Sequence, residues 1–340
     1  MKMKNILLVF TGGTIGSIAT EGRIDTCTTA PFTLLQQFQQ HYSDHQQVNF
    51  KIIQPLNLLS ENLAPAAWKI LIDAIEAEQP TRYGGIIVTH GTDTLSYTSS
   101  ILGFYFQSVN KPILLVSSDY PLTDARANGL ENFICAVEFI TQINQPGVFV
   151  PYRNQQQITQ LHQGTRLSSC LPLSGDFISV QHKSYMQYAK RQFSVLNPPI
   201  STQTTRVGLK AEFSERILMI KPYPGLDYRR INLEQVDAVL HDLYHSGTAC
   251  VSSQWGSNYS LLEFIQRCRE HAIKVYLAPI IKSTEAYQST RLLIAQGAEI
   301  IWNMSIEAAY SKLLLAYGNF TDDQAIMDFI NLDIAGEHIG

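Results

Sequence analysis

The sequence has 340 residues, of which 45% are hydrophobic and 16% are charged, and its formal net charge is -4. This composition is typical of a globular α/β protein of roughly two domains, and the small negative charge argues against nucleic acid or an anionic membrane as a partner. No apolar run reaches the ~18 residues of a membrane-spanning helix, and the apolar run Ile6–Phe10 is too short for a signal peptide. We therefore expect a cytoplasmic protein.

Strand-like and helical segments alternate along the first part of the chain, which predicts parallel strands joined by crossover helices. The predicted strands are Ile6–Phe10, Gly85–Val88, Pro112–Val116 and Gly147–Val150, and the predicted helices are Ala66–Ala77, Leu95–Phe106 and Gly129–Ile143. We interpret the polar sequence from Tyr152 to Lys190 as rich in turns. From Asn197 to Arg206 the apolar periodicity is lost and two prolines are adjacent, so we place a linker at 196–213, after an N-terminal domain at 1–195.

The remaining residues, 214–340, predict a second and smaller α/β domain of Rossmann-like type. Its predicted strands are Ile217–Lys221, Ala249–Ser252 and Lys274–Ala278, and its predicted helices are Leu233–His245 and Leu261–His271. The fold class is therefore α/β, with a parallel-sheet N-terminal domain and this smaller C-terminal domain.

The spacing of cysteine and histidine predicts neither a disulfide framework nor a metal site. The five cysteines are odd in number and form no C-x-x-C pair, so we expect reduced thiols. His241 and His245 are four residues apart in a predicted helix, a spacing that a metal could use. No third ligand accompanies them, so we interpret them as surface residues of an ordinary helix and predict no metal and no cofactor.

A threonine loop with the sequence T-G-G-T-I-G, residues 11–16, directly follows the first predicted strand. Paired glycines let backbone N–H groups turn toward a bound group, which can build an oxyanion hole beside a hydroxyl nucleophile. The alternative is a tight turn at the end of a strand. The spacing of the glycines matches neither the dinucleotide-binding motif nor a phosphate-binding P-loop.

A second threonine loop, T-H-G-T-D-T at residues 89–94, follows another buried strand and opens a predicted helix. Ligands of open α/β sheets bind at the carboxyl edge of the strands, where Thr92 and Asp93 would present a hydroxyl and an anion. The alternative is a purely structural N-cap, because Asp and Thr are both favoured there.

Taken together, the two loops resemble those of the asparaginase family, and of its cytoplasmic type I branch in particular. The resemblance covers nearly the whole chain. Further segments that match in order are S-E-N-L at 60–63, G-T-R-L-S-S at 164–169, Y-P-G at 223–225, W-G-S-N at 255–258 and N-M-S-I-E-A-A at 303–309.

The resemblance implies a role for each matching position. Thr14 would be the nucleophile that attacks a side-chain amide, and Thr92 and Asp93 would belong to a second catalytic set. Asp93 and Glu61 would hold the α-ammonium group of the substrate, with the hydroxyl of Ser60 near its carboxylate. His90, within the second loop, would be structural and not a general base.

The resemblance is incomplete at two positions. Ser169 stands at the position of the catalytic lysine, and a serine cannot serve as that base; another basic group, such as Lys183, is the alternative source. Arg23 stands at the position of a tyrosine that helps to activate the nucleophile. If it faces Thr14, Arg23 would acidify the hydroxyl or bind a substrate carboxylate; otherwise it pairs with Glu61 or points to solvent.

We therefore predict an asparaginase-like amidohydrolase that cleaves the side-chain amide of L-asparagine or a related small amide, with impaired activity or altered specificity. The alternative is a catalytically silent protein of the same fold that binds or senses a small molecule. The family is homo-oligomeric and completes its site with the second domain of a neighbour, so we expect a homodimer or homotetramer in which Asn258 and Glu307 act in trans or hold the interface. A tRNA-dependent amidotransferase subunit of this family carries an additional N-terminal domain, and we expect the present chain not to be one.

Overall fold

The structure is a computed structural model that describes residues 3–20, 23–26, 30–198 and 206–339; for residues 17–20, 23–26 and 30–31 it describes the backbone alone. The chain divides into two compact units, one of Met1–Ala211 with Ile334–Gly336, and one of Glu212–Asp333 with Glu337–Gly340. The predicted linker at 196–213 lies partly outside the described residues, so its bounds stay a prediction. No helix in the described ranges is long and apolar enough to cross a membrane.

The first unit contains an eight-stranded sheet of order β10-β9-β8-β7-β6-β5-β1-β4. Its strands are β1 (Lys4–Phe10), β4 (Val48–Ile53), β5 (Gly85–Thr89), β6 (Pro112–Val116), β7 (Gly147–Tyr152), β8 (Thr159–Gln163), β9 (Met186–Ala189) and β10 (Gln192–Val195), and a separate two-stranded sheet pairs β2 (Ser17–Thr20) with β3 (Arg23–Thr26). The strands from β4 to β7 are parallel, whereas β8, β9 and β10 add to β7 in antiparallel order.

The central strands form because their sequences are continuous apolar runs that suit burial on both faces of a sheet. Every residue of β5 and β6 is buried. The helices that accompany the sheet are α1 (Ala30–His41), α2 (Pro65–Ala77), α3 (Leu95–Tyr105) and α4 (Gly129–Glu138), and α4 continues into a π-helix at Phe139–Ile143. The parallel register pairs Phe10 with Thr89, so the loops that follow β1 and β5 leave the same edge of the sheet.

The second unit contains a four-stranded parallel sheet of order β11-β12-β13-β14. Its elements are β11 (Ile217–Ile220), β12 (Ala238–Asp242), α5 (Leu261–Glu270), β13 (Lys274–Ile280), α6 (Gln288–Ala295), β14 (Glu299–Trp302), α7 (Ile306–Asn319) and α8 (Asp323–Asn331). The predicted fold class, α/β with a smaller second α/β domain, is confirmed.

Three sequence predictions about individual elements are wrong. The predicted helix Leu233–His245 contains β12, which pairs in parallel with β11 and β13, because its short apolar run is satisfied by two strand neighbours and not by a helical face. The segment Ala249–Ser252 forms no strand. The sequence from Tyr152 to Lys190 contains β8 and β9 among its turns. These strands were not predicted because they contain polar glutamines and the prediction relied on apolar residues.

Candidate active site at the carboxyl edge of the first sheet

The two threonine loops touch each other through their glycines. Gly13 has a φ of +75°, and a Cβ atom added to it would lie 2.3 Å from the backbone nitrogen of Gly91. The hydroxyl of Thr11 also donates to the carbonyl oxygen of Thr89 at 2.6 Å. Only glycine allows this close approach of the two backbones, so the loops after β1 and β5 form a single surface at the sheet edge.

A third segment joins this surface through Leu58. The backbone N–H of Leu58 donates to the carbonyl oxygen of Thr11 at 3.0 Å, and its carbonyl oxygen accepts from the N–H of Gly13 at 3.0 Å. A Cβ atom on Gly12 would lie 2.3 Å from the same carbonyl oxygen. This pairing delivers the 3-10 helix Ser60–Asn62 to the threonine loops.

Ser60 and Asp93 are bonded to each other in both directions. The Ser60 hydroxyl donates to Asp93 Oδ2 at 2.9 Å, and the N–H of Asp93 donates to Ser60 Oγ at 3.2 Å. Thr94 Oγ1 donates to the carbonyl oxygen of Ser60 at 3.0 Å. The N-cap of α3 is Thr94, without a side-chain capping bond, so the interpretation of Asp93 as a simple N-cap is wrong: its carboxylate fixes the Ser60 loop.

The predicted nucleophile and the predicted anionic groups remain accessible. Thr14 opens the 3-10 helix Thr14–Gly16 and is half-buried, like Thr92. Asp93 and Glu61 are exposed. The surface therefore offers two partly exposed threonine side chains beside two solvent-accessible carboxylates, an arrangement suited to a small polar substrate that carries a positive charge.

Ser169 lies against the first turn of α3. Its Oγ atom is 3.3 Å from Oγ of Ser96, a buried residue in the first turn of α3. The next residue, Cys170, is half-buried, and burial together with the negative charge of Asp93 raises the pKa of its thiol. Ser169, where the resemblance implies a lysine, thus lies within hydrogen-bonding distance of a second hydroxyl.

His90 takes part in a chain of hydrogen bonds beneath the second loop. Trp68 Nε1 donates to Thr98 Oγ1 at 2.9 Å, Thr98 Oγ1 lies 2.9 Å from His90 Nε2, and His90 Nδ1 lies 2.8 Å from the carbonyl oxygen of Gly91. Because that carbonyl only accepts, Nδ1 carries the proton and Nε2 accepts from Thr98. Burial lowers the pKa of His90 to about 4, so the neutral ring holds the Gly91 loop.

The family profile described as "Asparaginase, N-terminal" matches residues 5–200. The chain belongs to the asparaginase family. It is 29% identical over 364 residues to a glutamyl-tRNA(Gln) amidotransferase component of Methanococcus maripaludis strain C5, covering 99% of this chain and 81% of that protein. It is 26% identical over 352 residues to the L-asparaginase of Thermococcus kodakarensis, covering 98% of this chain and 99% of that protein.

Solved structures of the asparaginase family share the fold of this chain. The L-asparaginase of Thermococcus kodakarensis matches with a TM-score of 0.79 at 24% identity, and L-asparaginase I of Vibrio cholerae matches with a TM-score of 0.78 at 22% identity; each covers 99% of both chains. The resemblance inferred from the threonine loops is confirmed. Sequence identities this low show the fold, and they do not assign a substrate.

The roles of three further positions, Arg23, Asn258 and Glu307, are not tested by the contacts described above. The backbone of Arg23 begins β3, but its side chain lies outside the described residues. Asn258 belongs to the second unit, on the 3-10 helix Ser257–Tyr259. Their substrate-binding roles stay predictions, as does the role of Glu307, which is buried in the first turn of α7.

The two histidines of the second unit do not form a surface pair, because His245 is exposed and His241 is buried. His241 lies in β12 and is buried, its Nε2 atom is 2.8 Å from the hydroxyl of Tyr228, and burial lowers its pKa to about 4. The prediction that His241 and His245 share an exposed helical face is wrong, because Ala238–Asp242 is a strand and His245 lies beyond it in a turn. Within the described ranges, no cluster of three or more His, Cys, Asp or Glu side chains could hold a metal ion.

Sequence reasoning missed Leu58 and Ser96 as parts of the candidate site. Ser96 lies in the first turn of α3, whereas Thr92 precedes the helix, so helical spacing gave no signal for Ser96. Leu58 acts through its backbone alone, and no side-chain pattern could have revealed it.

Proposed function

We propose that the protein is an amidohydrolase of the asparaginase type that cleaves the side-chain amide of L-asparagine or a related small amide. The observation that carries the proposal is the contact between the two threonine loops, in which Gly13 meets Gly91 and Thr14 and Thr92 stand at one sheet edge.

The proposed chemistry starts at the hydroxyl of Thr14. Its oxygen adds to the amide carbon, the C–N bond breaks with release of ammonia, and an ester to Thr14 remains. Water then adds to the ester, which frees the carboxylate product and restores the hydroxyl. Thr92 and Asp93 form the second catalytic set, and backbone N–H groups of the 11–16 loop are the candidate donors to the oxyanion.

Substrate binding is proposed to use the exposed carboxylates. Asp93 and Glu61 supply negative charge for an α-ammonium group, and Ser60, held by Asp93, lies near the α-carboxylate. Arg23 would then set the preference for the substrate's remaining groups. Asn258 would contribute from a neighbouring copy in a homodimer or homotetramer that works in the cytoplasm without a cofactor or a nucleic-acid partner.

Turnover is expected to be slow because Ser169 stands where the resemblance implies the catalytic lysine. Removal of a positioned base typically lowers a rate by about 10² to 10⁴-fold. Ser169 contacts Ser96 at 3.3 Å, and neither hydroxyl takes up a proton at neutral pH.

A second candidate function follows from that same contact. If the Ser96–Ser169 pair has replaced the base permanently, the protein binds a small amino acid or amide without hydrolysing it and acts as a sensor or regulator. This candidate predicts binding without ammonia release.

One experiment separates the two candidates. Ammonia release from L-asparagine and from other small primary amides is measured for the wild type, for Thr14→Ala and for the control Thr321→Ala, which changes an exposed threonine of the second unit. Calorimetry with L-asparagine and L-aspartate measures binding to the same proteins. Slow release that is lost in Thr14→Ala and kept in the control supports the hydrolase. Binding with no release in any protein supports the silent binder, and no binding at all contradicts both.

Sedimentation tests the proposed assembly. We expect a dimer or a tetramer at micromolar concentration. A monomer alone would contradict a role for Asn258 in trans.

A further inference from the structure

The turn that precedes Ser169 is clasped from two sides within the first unit. This turn is the 3-10 helix Gly164–Arg166, and the chain passes from it through Leu167 and Ser168 to Ser169. Leu167 is fully buried, and the N–H of Ser168 donates to the carbonyl oxygen of Ile178 at 3.0 Å. The direction in which the turn leaves therefore decides where Ser169 and Cys170 stand.

Helix α3 holds the inner side of the turn. Ser99 Oγ donates to the carbonyl oxygen of Gly164 at 2.8 Å. A Cβ atom on Gly103 would lie 2.7 Å from Cγ2 of Thr165, so the helix approaches the turn as closely as a glycine allows. Because α3 also carries Ser96, this contact sets the distance between Ser96 and Ser169.

The segment Ile334–Gly336, near the end of the chain but part of the first unit, holds the other side. Thr165 Oγ1 donates to the carbonyl oxygen of Ala335 at 2.9 Å, and Gln163 Nε2 donates to the same oxygen. Arg166, only 5% exposed, donates from Nε to the carbonyl oxygen of Gly336. Three side chains that precede the site segment are thus bonded to two consecutive carbonyls.

Gly336 makes this arrangement specific. Its φ is +71°, and a Cβ atom there would lie 2.1 Å from Nε2 of Gln163. A side chain at position 336 would collide with Nε2 of Gln163, which donates to the carbonyl oxygen of Ala335. The buried Arg166 would also lose this acceptor if the segment moved, and taking a hydrogen-bond partner from a buried guanidinium is costly.

We propose that Ile334–Gly336 is a positioning element of the candidate site, which acts through Gln163, Thr165 and Arg166 to fix the segment that bears Ser169 and Cys170 against α3. The proposal rests on the proposed function only in treating Ser169 as a site position. The residues of the element touch no substrate; they set where the site segment lies.

The thiol of Cys170 provides a readout that does not depend on catalysis. It is half-buried beside Asp93, so its alkylation rate reports how firmly the segment is held. Cys250, exposed and in the second unit, is an internal reference in the same sample. Alkylation by iodoacetamide at mildly alkaline pH, followed for each cysteine peptide by mass spectrometry, gives both rates.

The test compares Thr165→Val, which removes the hydroxyl at constant shape, with Thr165→Ser, which keeps it. Loss of one hydrogen bond typically changes such an equilibrium about 5-fold. We expect Thr165→Val to speed alkylation of Cys170 about 5-fold with Cys250 unchanged. Thr165→Ser keeps the hydroxyl but loses the methyl group that lies against Gly103, so we expect it to speed alkylation of Cys170 less than Thr165→Val does. Equal rates in all three proteins, or a parallel rise at Cys170 and Cys250, would overturn the proposal.

Gly336→Ala provides a second and larger perturbation. Its control is Gly225→Ala, because Gly225 has a φ of +87° with nothing within 4 Å of an added Cβ, so that variant carries the backbone strain without the collision. Gly336→Ala should speed alkylation of Cys170 more than Thr165→Val does, and Gly225→Ala should leave it unchanged. If Gly336→Ala does not fold, the Thr165 pair still decides. If Cys170 responds but the protein hydrolyses no amide, the proposed hydrolase function is contradicted and the positioning role of Ile334–Gly336 is supported. If the protein hydrolyses an amide but Cys170 does not respond, the positioning role is contradicted and the hydrolase function is supported.

Discussion

The nucleophile region and the base region of the candidate site are built in different ways. The nucleophile region, formed by the 11–16 loop, the 89–94 loop and the Ser60 loop, is held by glycine contacts and by the reciprocal bonds of Ser60 and Asp93. The base region, the Ser169 segment against α3, is also held by hydrogen bonds from its neighbours. Its end carries the hydroxyl of Ser169, whose Oγ atom lies 3.3 Å from that of Ser96.

This difference distinguishes the backbone contacts that build the site from the side chains that would carry out its chemistry. Gly12 and Gly13 both adopt positive φ, a backbone conformation that is useful only if the loops must meet. A chain that had simply lost the function would be free to lose this conformation first. In this chain the two threonine loops are in contact through their glycines, and a serine stands at position 169. The following predictions test whether the two regions are as different as the contacts indicate.

The largest effect is expected in the nucleophile region. Gly13→Ala would place a Cβ atom 2.3 Å from the backbone of Gly91, and we expect it to lower the free energy of unfolding by more than about 3 kcal/mol, from collision and backbone strain together. Gly175→Ala is the control, because Gly175 has a similar φ of +72° and open space around it; it should cost about 1 kcal/mol. Urea unfolding of both variants measures this, and equal losses would mean that the loop contact is loose.

Acid should weaken the support of the nucleophile region. Burial lowers the pKa of His90 to about 4, whereas the unfolded chain has an ordinary histidine pKa near 6.5. The unfolded state therefore binds more protons between these values, and stability falls as the pH drops from about 6.5 to about 4, by up to about 1.4 kcal/mol per pH unit for this group. His90→Gln should flatten the pH dependence of the unfolding free energy in that window.

His241 gives the matched comparison in the second unit. Its pKa is also lowered to about 4 by burial, so His241→Gln should flatten the same window by a similar amount. The buried histidine under the candidate site and the buried histidine in the second unit would then contribute equally to the loss of stability in acid. A slope that neither variant changes would show that both rings ionise normally in the folded protein.

A smaller effect is expected for Thr98→Val, which interrupts the hydrogen-bond chain from Trp68 to His90. Two buried groups lose the hydroxyl to which they are bonded, so the unfolding free energy should fall by about 1 to 3 kcal/mol. Thr98→Ser keeps the hydroxyl and should retain most of the stability. If both variants lose the same amount, packing of the methyl group and not the hydrogen bonds supports the loop.

The smallest effect is expected in the base region. Ser96→Ala should change the unfolding free energy by less than about 1 kcal/mol, because a hydroxyl pair 3.3 Å apart is a weak hydrogen bond. Ser169→Ala and the double variant complete a cycle. A coupling energy above about 1 kcal/mol would show that the two serines form a structural pair that resists replacement.

Much of the first unit could be predicted because its central strands are short apolar runs bounded by loops. The strand Pro112–Val116 matches its predicted bounds, and the rule that ligands bind at the carboxyl edge placed the two threonine loops together. β12 could not be predicted, since the sequence around Ala238–Asp242 fits a helical pattern as well as a strand, and only the pairing with β11 and β13 decides. The strands β8 and β9 were not predicted because both are short, and polar residues such as Gln160, His162 and Gln187 interrupt their apolar residues.

The candidate site was predictable where side chains carry the signal and not where backbone does. Ser60, Thr92 and Asp93 were identified from motifs and lie together, whereas the role of Leu58 depends on two backbone hydrogen bonds. The hydrogen bond from Thr165, in the turn before Ser169, to Ala335 joins residues 170 positions apart in the sequence. Such a long-range contact leaves no local pattern.

The most direct test of the central claim, that an intact nucleophile scaffold lacks one base, is to restore the base. In Ser169→Lys an amine replaces the hydroxyl, and ammonia release from L-asparagine should rise by up to about 10² to 10⁴-fold. Ser169→Met, with a chain of similar length and no amine, should not rise, and Ser169→Lys with Thr14→Ala should be inactive because no nucleophile remains. A wild type as fast as Ser169→Lys, or a lysine variant that binds L-asparagine without any gain in ammonia release, would contradict the account.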